Sequence, residues 1–160
     1  MNTQNSEPAV VIRTEDPASP AAAQLIAEVS AELGPIYGGD GSAAFRPADV
    51  IVPGAAFFVA WLGHQAVGCG ALRPMSQTGI AEIKRMYVQP QARGKGISRR
   101  ILNALEDRAR EYRYHAIWLE TGIYQTQAIG LYESAGYRRI PCYGHYADNP
   151  LSLCYEKILQ

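Results

Sequence analysis

Gln91-Ala92-Arg93-Gly94-Lys95-Gly96-Ile97-Ser98 is the stretch whose residue types and spacing most plainly serve chemistry. Two glycines one residue apart, with an arginine before them and a lysine between them, form a turn that feeds the start of a helix. Such a turn points unpaired backbone N–H groups into one concavity, with the positive end of the helix dipole behind them. That is an anion site, and phosphate is its usual guest. The spacing excludes two common phosphate loops. A P-loop needs four residues between its first glycine and Gly-Lys-[Ser/Thr], and a dinucleotide fingerprint needs G-x-G-x-x-G.

The flanking elements must hold this turn in place. Ile83 to Val88 alternates and is rich in β-formers, and Pro90 stops it. Beyond the turn, Ile97, Ile101, Leu105, Ala109 and Tyr112 recur at helical spacing, so a helix begins at or near Gly96. Elsewhere the chain reads as a strand at Val10 to Thr14 and a helix capped by Ser19-Pro20 and ended by Gly34-Pro35. An irregular stretch from Ile36 to Ser42 and a short helix from Pro47 to Ile51 follow. Ala55 to Leu62 and Gln65 to Arg73 form a hairpin across Gly63-His64. Strands at Ile80 to Val88 and Ala116 to Glu120 enclose the loop and its helix, a crossover that implies they run parallel. A helix from Thr126 to Ala135 ends at Gly136, and strands at Tyr137 to Cys142 and Ser152 to Ile158 close the chain. The expected class is α/β with a mixed sheet.

At 160 residues the chain is expected to be one domain over 9–160, behind a loose polar tail over 1–8. Cys69, Cys142 and Cys154 are an odd count without ligand-like spacing, and read as buried or incidental thiols in a reducing compartment. Pairing of Cys142 with Cys154 across the last two strands is the less favoured alternative. No signal peptide is evident, and no apolar run approaches the roughly 20 residues of a membrane span, so a soluble cytoplasmic chain is expected. Net charge is zero, which argues against general nucleic-acid binding. Its distribution is uneven: Lys84 to Arg113 holds nine basic and three acidic residues, a net +6 that leaves −6 on the rest. The basic third suits a polyanion, and the acidic remainder suits a cationic amine. Several of the arginines from Arg99 to Arg113 also read as a solvated helix face.

The loop resembles the [Gln/Arg]-x-x-Gly-x-[Gly/Ala] pyrophosphate loop of the GNAT superfamily of acyl-CoA N-acyltransferases. Two flanking segments strengthen the resemblance: Glu82-Ile83-Lys84-Arg85-Met86-Tyr87-Val88 is similar to the family's fourth strand, and Leu131-Tyr132-Glu133-Ser134-Ala135-Gly136-Tyr137 to its helix-and-glycine segment. The resemblance implies the GNAT fold: a mostly antiparallel twisted sheet of about seven strands, about four helices, and a splayed parallel pair. It implies acetyl-CoA as cosubstrate, with no metal. Met86 and Val88 would offer main-chain groups to the pantetheine, and Arg93, Gly94, Lys95, Gly96, Ile97 and Ser98 would surround the pyrophosphate. Phosphate oxygens must approach main-chain nitrogens to about 2.9 Å, and a Cβ at either glycine would crowd them. Ser98-Arg99 departs from the family's usual Gly-[Arg/Lys/Ala], and Gln125 stands where an Asn often contacts CoA.

The same resemblance makes Tyr132 the candidate acid for the departing sulfur; its place on the apolar face of its helix equally fits a packing residue. Glu82 is the first candidate base, since simple alternation would put it on the face of Lys84, Met86 and Val88. An exposed carboxylate paired with Lys84 is the other reading. Glu120 ends the next strand, where ligands collect in open sheets, and is the second carboxylate; His145 is the third base candidate. The acceptor pocket is expected from Tyr37 and Asp40, the end of the Ala116–Glu120 strand, and Tyr143 to Asn149, and suits a small amphipathic amine. The implied reaction is direct attack of a primary amine on the thioester in a ternary complex. An acylator of protein N-termini or lysines, and a CoA-sensing module without turnover, are the alternatives; a homodimer is compatible with each.

Overall fold

The computed structural model describes residues 8–39 and 45–160, so most of the expected tail and the expected irregular loop beyond Gly39, Asp40 included, lie outside the described residues. Seven strands form one sheet in the order β1-β2-β3-β4-β5-β7-β6. They are β1 (Val10–Thr14), β2 (Ala56–Leu62), β3 (Gln65–Pro74), β4 (Ile80–Val88), β5 (Ala116–Gly122), β6 (Arg138–Ile140) and β7 (Ser152–Ile158). Every neighbouring pair is antiparallel except β4 and β5, which run parallel across the crossover helix α2 (Ile97–Glu111). Gly63, at φ 63°, turns the β2–β3 hairpin.

The sheet is covered on both faces. Ile101, Leu102 and Leu105 of α2 pack with Ile83, Ile117, Leu119 and Tyr132 on one side. Ala22, Leu25 and Val29 of α1 (Pro20–Tyr37) pack with Phe57, Val59 and Tyr87 on the other. Among the described residues there are three α-helices, the third being α3 (Thr126–Ser134), and the expected short second helix is a single 3-10 turn over Pro47–Val50.

Three expectations differ from the structure. α1 runs through Pro35 to Tyr37 instead of stopping at Gly34-Pro35. Pro35 lies within its last turn, where it deprives the carbonyl four residues back of its helical donor without ending the helix, and Gly38 N–H closes that turn onto the Gly34 carbonyl at 2.8 Å. β6 stops at Ile140 because Pro141 cannot continue the ladder. Cys142 and Cys154 are joined by a disulfide, correcting the reading of both as thiols: Ile140 faces Cys154 across β6 and β7, and the chain past Pro141 brings the two Cα atoms to 5.0 Å. Cys69 remains a buried thiol that donates to the Arg85 carbonyl, and burial pushes it up to about 12. Among the described residues no helix is long and apolar enough to cross a membrane.

Candidate active site

β4 and β5 pair in register only from Ile80↔Ala116 to Ile83↔Leu119, and beyond that point they part. The cause lies within β4. Arg85 has φ 56°, rare for a residue with a Cβ, and the β3–β4 register slips between Cys69 and Ala71. Such a bulge bends its strand and ends regular pairing. It also breaks the alternation: Ile83 and Met86, three residues apart, both pack toward α2, while Arg85 turns to Ser30 on α1, its guanidinium donating at 3.1 Å.

Glu82 and Lys84 are therefore on the face opposite Met86, correcting the face expected for Glu82. The carboxylate of Glu82 is 2 % exposed and fully engaged. Arg73 donates to it through Nη2 at 2.7 Å and Nε at 2.9 Å, and the Tyr143 hydroxyl donates at 2.6 Å. The expected pairing of Glu82 with Lys84 gives way to pairing with Arg73. Glu82→Gln removes one partner of a buried ion pair, so we expect a loss of about 3 kcal/mol of folding stability. Denaturant titration reads this directly, and an unchanged midpoint would contradict it.

Where the strands part, two cavities of about 420 Å³ each open and share Met86, Gln125, Ala128 and Tyr132 in their walls. The second is also lined by Val88, Arg93, Gly94, Gly96, Ile97 and Ser98, while Lys95 is exposed beside it. Gly94 and Gly96 sit at φ 80° and 76°, and nothing lies within 4 Å of where a Cβ would stand on either. Gly96 is the N-cap of α2 and offers no side chain to the first-turn N–H groups. An open concavity, orphan donors and a helix N-terminus thus coincide, an arrangement that fits a phosphate group. Arg93 is partly committed: its Nε donates to the Val88 carbonyl at 2.8 Å and its Nη2 meets Glu32 of α1 at 2.7 Å. Glu32 also lines this cavity. Nothing in the sequence near the loop signals it, since it arrives from a helix 61 residues away.

The first cavity is lined by Tyr37, Lys84, Arg85, Glu120, His145 and Tyr146, among others. Glu82 lies outside both cavities. Glu120 is half-buried, and among the described residues its carboxylate has no hydrogen bond or ion pair. Burial raises its pKa above the ordinary carboxylate value, Glu82 raises it further, and Lys84 opposes the shift. The Lys84 ammonium donates to the Tyr146 hydroxyl and lies 4.9 Å from that ring's centroid. The Tyr37 hydroxyl donates to Gln125 Oε1 at 3.2 Å and accepts from the Tyr124 N–H at 3.1 Å, so the end of α1 is bolted across the wall between the cavities. Tyr146 belongs to the Tyr143-to-Asn149 stretch expected at the acceptor pocket, whereas Lys84 was not singled out, because the bulge that aims it has no pattern of its own.

Tyr132 stands at the junction. Its ring packs against Tyr137 at 5.7 Å and Tyr155 at 6.4 Å, yet among the described residues its hydroxyl has no hydrogen-bond partner. Burial first, and Glu120 second, raise its pKa, so the phenol keeps its proton. Among the described residues no group of three or more His, Cys, Asp or Glu side chains is placed to hold a metal ion.

Comparison with known proteins agrees with this geometry. A sequence model of the acetyltransferase (GNAT) family matches residues 24–137. An IAA acetyltransferase of Azospirillum brasilense is 40% identical over 152 residues, covering 95% of this chain and 99% of that protein. An uncharacterised N-acetyltransferase of Escherichia coli (strain K12) is 32% identical over 142 residues, covering 79% of this chain and 83% of its own length. A Klebsiella pneumoniae chain assigned as an acyl-CoA N-acyltransferase superposes with a TM-score of 0.79 at 32% identity, over 94% of this chain and 98% of that one. A Salmonella typhimurium chain assigned as an acetyltransferase, solved with its cofactor acetyl-CoA, shares the fold with a TM-score of 0.71 at 23% identity, over 95% of each chain.

Proposed function

The chain belongs to the GNAT acetyltransferase family, and from that premise we propose that it moves the acetyl group of acetyl-CoA to the primary amine of a small molecule held beside Glu120. The observation that carries this reading is the meeting of two cavities at Tyr132, one ending at a phosphate-shaped helix N-terminus and the other holding a carboxylate that is unpaired among the described residues. Acetyl-CoA, when bound, supplies an acetyl thioester whose carbonyl carbon bonds to the amine nitrogen as its C–S bond breaks. Gly94 and Gly96 let the pyrophosphate reach the N–H groups of the loop and of Ile97 and Ser98, with Arg93 and Lys95 adding positive charge. Met86 and Val88 border the pantetheine; the Val88 carbonyl already accepts from Arg93, so Met86 has the freer main chain. Gln125 turns its amide to Tyr37 and holds the wall between the two ligands.

The residues at the junction handle the protons. Glu120, without a partner among the described residues and with its pKa raised, takes the proton from the incoming ammonium. Tyr132 gives its proton to the leaving thiolate. Glu82, bound to Arg73 and Tyr143, braces β4 instead of serving as base. The Tyr37 contact with Gln125 and Tyr124 narrows the approach to the acceptor cavity, which supports a small molecule over a peptide.

The test is binding and turnover together. At one hundred times its dissociation constant, acetyl-CoA is expected to stabilise the fold by about 2.7 kcal/mol, and to release CoA thiol when an accepted amine is added. A melting temperature unmoved by millimolar acetyl-CoA overturns the reading. Gly96→Ala forces a Cβ into the left-handed region at a cost of about 1–2 kcal/mol. We expect it to weaken acetyl-CoA binding more than tenfold in a calorimetric titration, with the fold retained. Unchanged affinity would make the glycine a turn residue only.

A further inference from the structure

Resting on the acetyltransferase reading above, we infer that the acceptor is an amine that also carries a carboxylate, such as an amino acid, with Lys84 and Tyr146 receiving the carboxylate while Glu120 receives the ammonium. Lys84 and Glu120 are the first residues of β4 and β5 beyond their last paired positions, so they face one another across the opening of the splay. They do not form an ion pair with each other, and among the described residues Lys84 forms none at all. A half-buried ammonium whose one hydrogen bond goes to a neutral phenol has two N–H groups left to donate. Burial raises the pKa of Tyr146, so its hydroxyl keeps a proton that it can direct to the same anion.

Other charges in the cavity point the same way. Among the described residues Glu120 is the one carboxylate in the lining. The nearby Arg73 is already matched by Asp49 and Glu82, so neither of those acids is free to neutralise Lys84. A polyamine or a lysine side chain entering this cavity would bring further positive charge against Lys84. A carboxylate one carbon from the reacting amine instead completes both halves of the site. Of the acidic excess outside the basic third, read from the sequence as suiting a cationic amine, Glu120 alone among the described residues lines the cavity.

Thiol-release kinetics with acetyl-CoA, run on alanine, aspartate, alaninamide, ethylamine and spermidine, separate these cases. The free carboxylates are expected to exceed the amide and the simple amines by at least tenfold in kcat/KM. Lys84→Met should lower kcat/KM for the preferred amino acid by about 10- to 100-fold, the range for a lost hydrogen bond to a charged group. The same change should lower alaninamide turnover by a distinctly smaller factor, the part that comes from the altered charge beside Glu120, and leave the acetyl-CoA thermal shift intact. Preference for alaninamide, ethylamine or spermidine, or an equal loss on all amines in Lys84→Met, overturns the acceptor assignment while keeping the acetyltransferase. Turnover with no amine overturns both.

Discussion

Tyr132→Phe is expected to lower kcat by roughly 10²- to 10⁴-fold, the usual contribution of a positioned general acid, with acetyl-CoA affinity nearly unchanged. The phenylalanine ring keeps the packing against Tyr137 and Tyr155. The lost hydroxyl had no partner among the described residues, so its removal strands no buried donor or acceptor and stability should hold. A free thiol has a pKa near 8.5 and a phenol near 10, so in water a thiolate gains little from a phenol. In the closed space between the cavities the thiolate cannot draw on solvent, and a proton held in place is worth more. An acyl donor with a more acidic thiol should therefore show a smaller loss, which steady-state kinetics with paired thioesters will measure. Full activity in the variant would make Tyr132 a packing residue.

Glu120→Gln is expected to cut kcat/KM by about 10²-fold at neutral pH and by progressively less as the pH rises. A carboxylate accepts a proton only when ionised, and the pKa of Glu120 is raised. The wild-type rate should accordingly fall on the acid side at a pH above the ordinary carboxylate range. The glutamine variant has no such limb. Its rate should follow deprotonation of the amine itself, whose pKa reaches roughly 10.4 for a lysine-like amine, so the two profiles converge at high pH. A constant ratio across pH would instead make Glu120 a group that positions the acceptor. Because no hydrogen bond holds Glu120 among the described residues, unlike Glu82, the change should leave the denaturation midpoint in place. The two carboxylates are thus separable by where their loss appears, one in the pH profile and the other in folding.

Much of the frame was legible in the residues. The tight Gly63-His64 turn marked β2 and β3 as a hairpin, alternation marked β4, the Ile97–Ile101–Leu105 spacing marked α2, and a helix between two strands required β4 and β5 to be parallel. The glycine loop was legible because positive φ and open space both demand glycine at positions 94 and 96. Which carboxylate faces the cavity was less so: Glu120 stood second to Glu82, because alternation assumes an uninterrupted strand. Arg85 adopts a left-handed conformation that no local residue type requires; its side chain is drawn to Ser30 and its carbonyl to Cys69, contacts made by distant segments. That one residue moved Glu82 away from Met86 and left Lys84 facing Glu120. The Cys142–Cys154 bridge was obscured for a similar reason, since it depends on how closely the chain past Pro141 follows β7.

The shared wall of Met86, Gln125, Ala128 and Tyr132 has a consequence for inhibition. Two ligands that meet end to end at one side chain can be tied together without either leaving its place. A conjugate of CoA and the acceptor, joined through the short link that the reaction itself forms and undoes, presents its second half to the second cavity at a fixed high local concentration. Its orientational freedom is surrendered once instead of twice. Such tethering can exceed the tighter single ligand by 10²- to 10⁴-fold, provided that the link spans the wall without strain. With one wall of Met86, Gln125, Ala128 and Tyr132 common to the phosphate-shaped cavity and the carboxylate-lined one, the fold sets the two halves of such a molecule side by side.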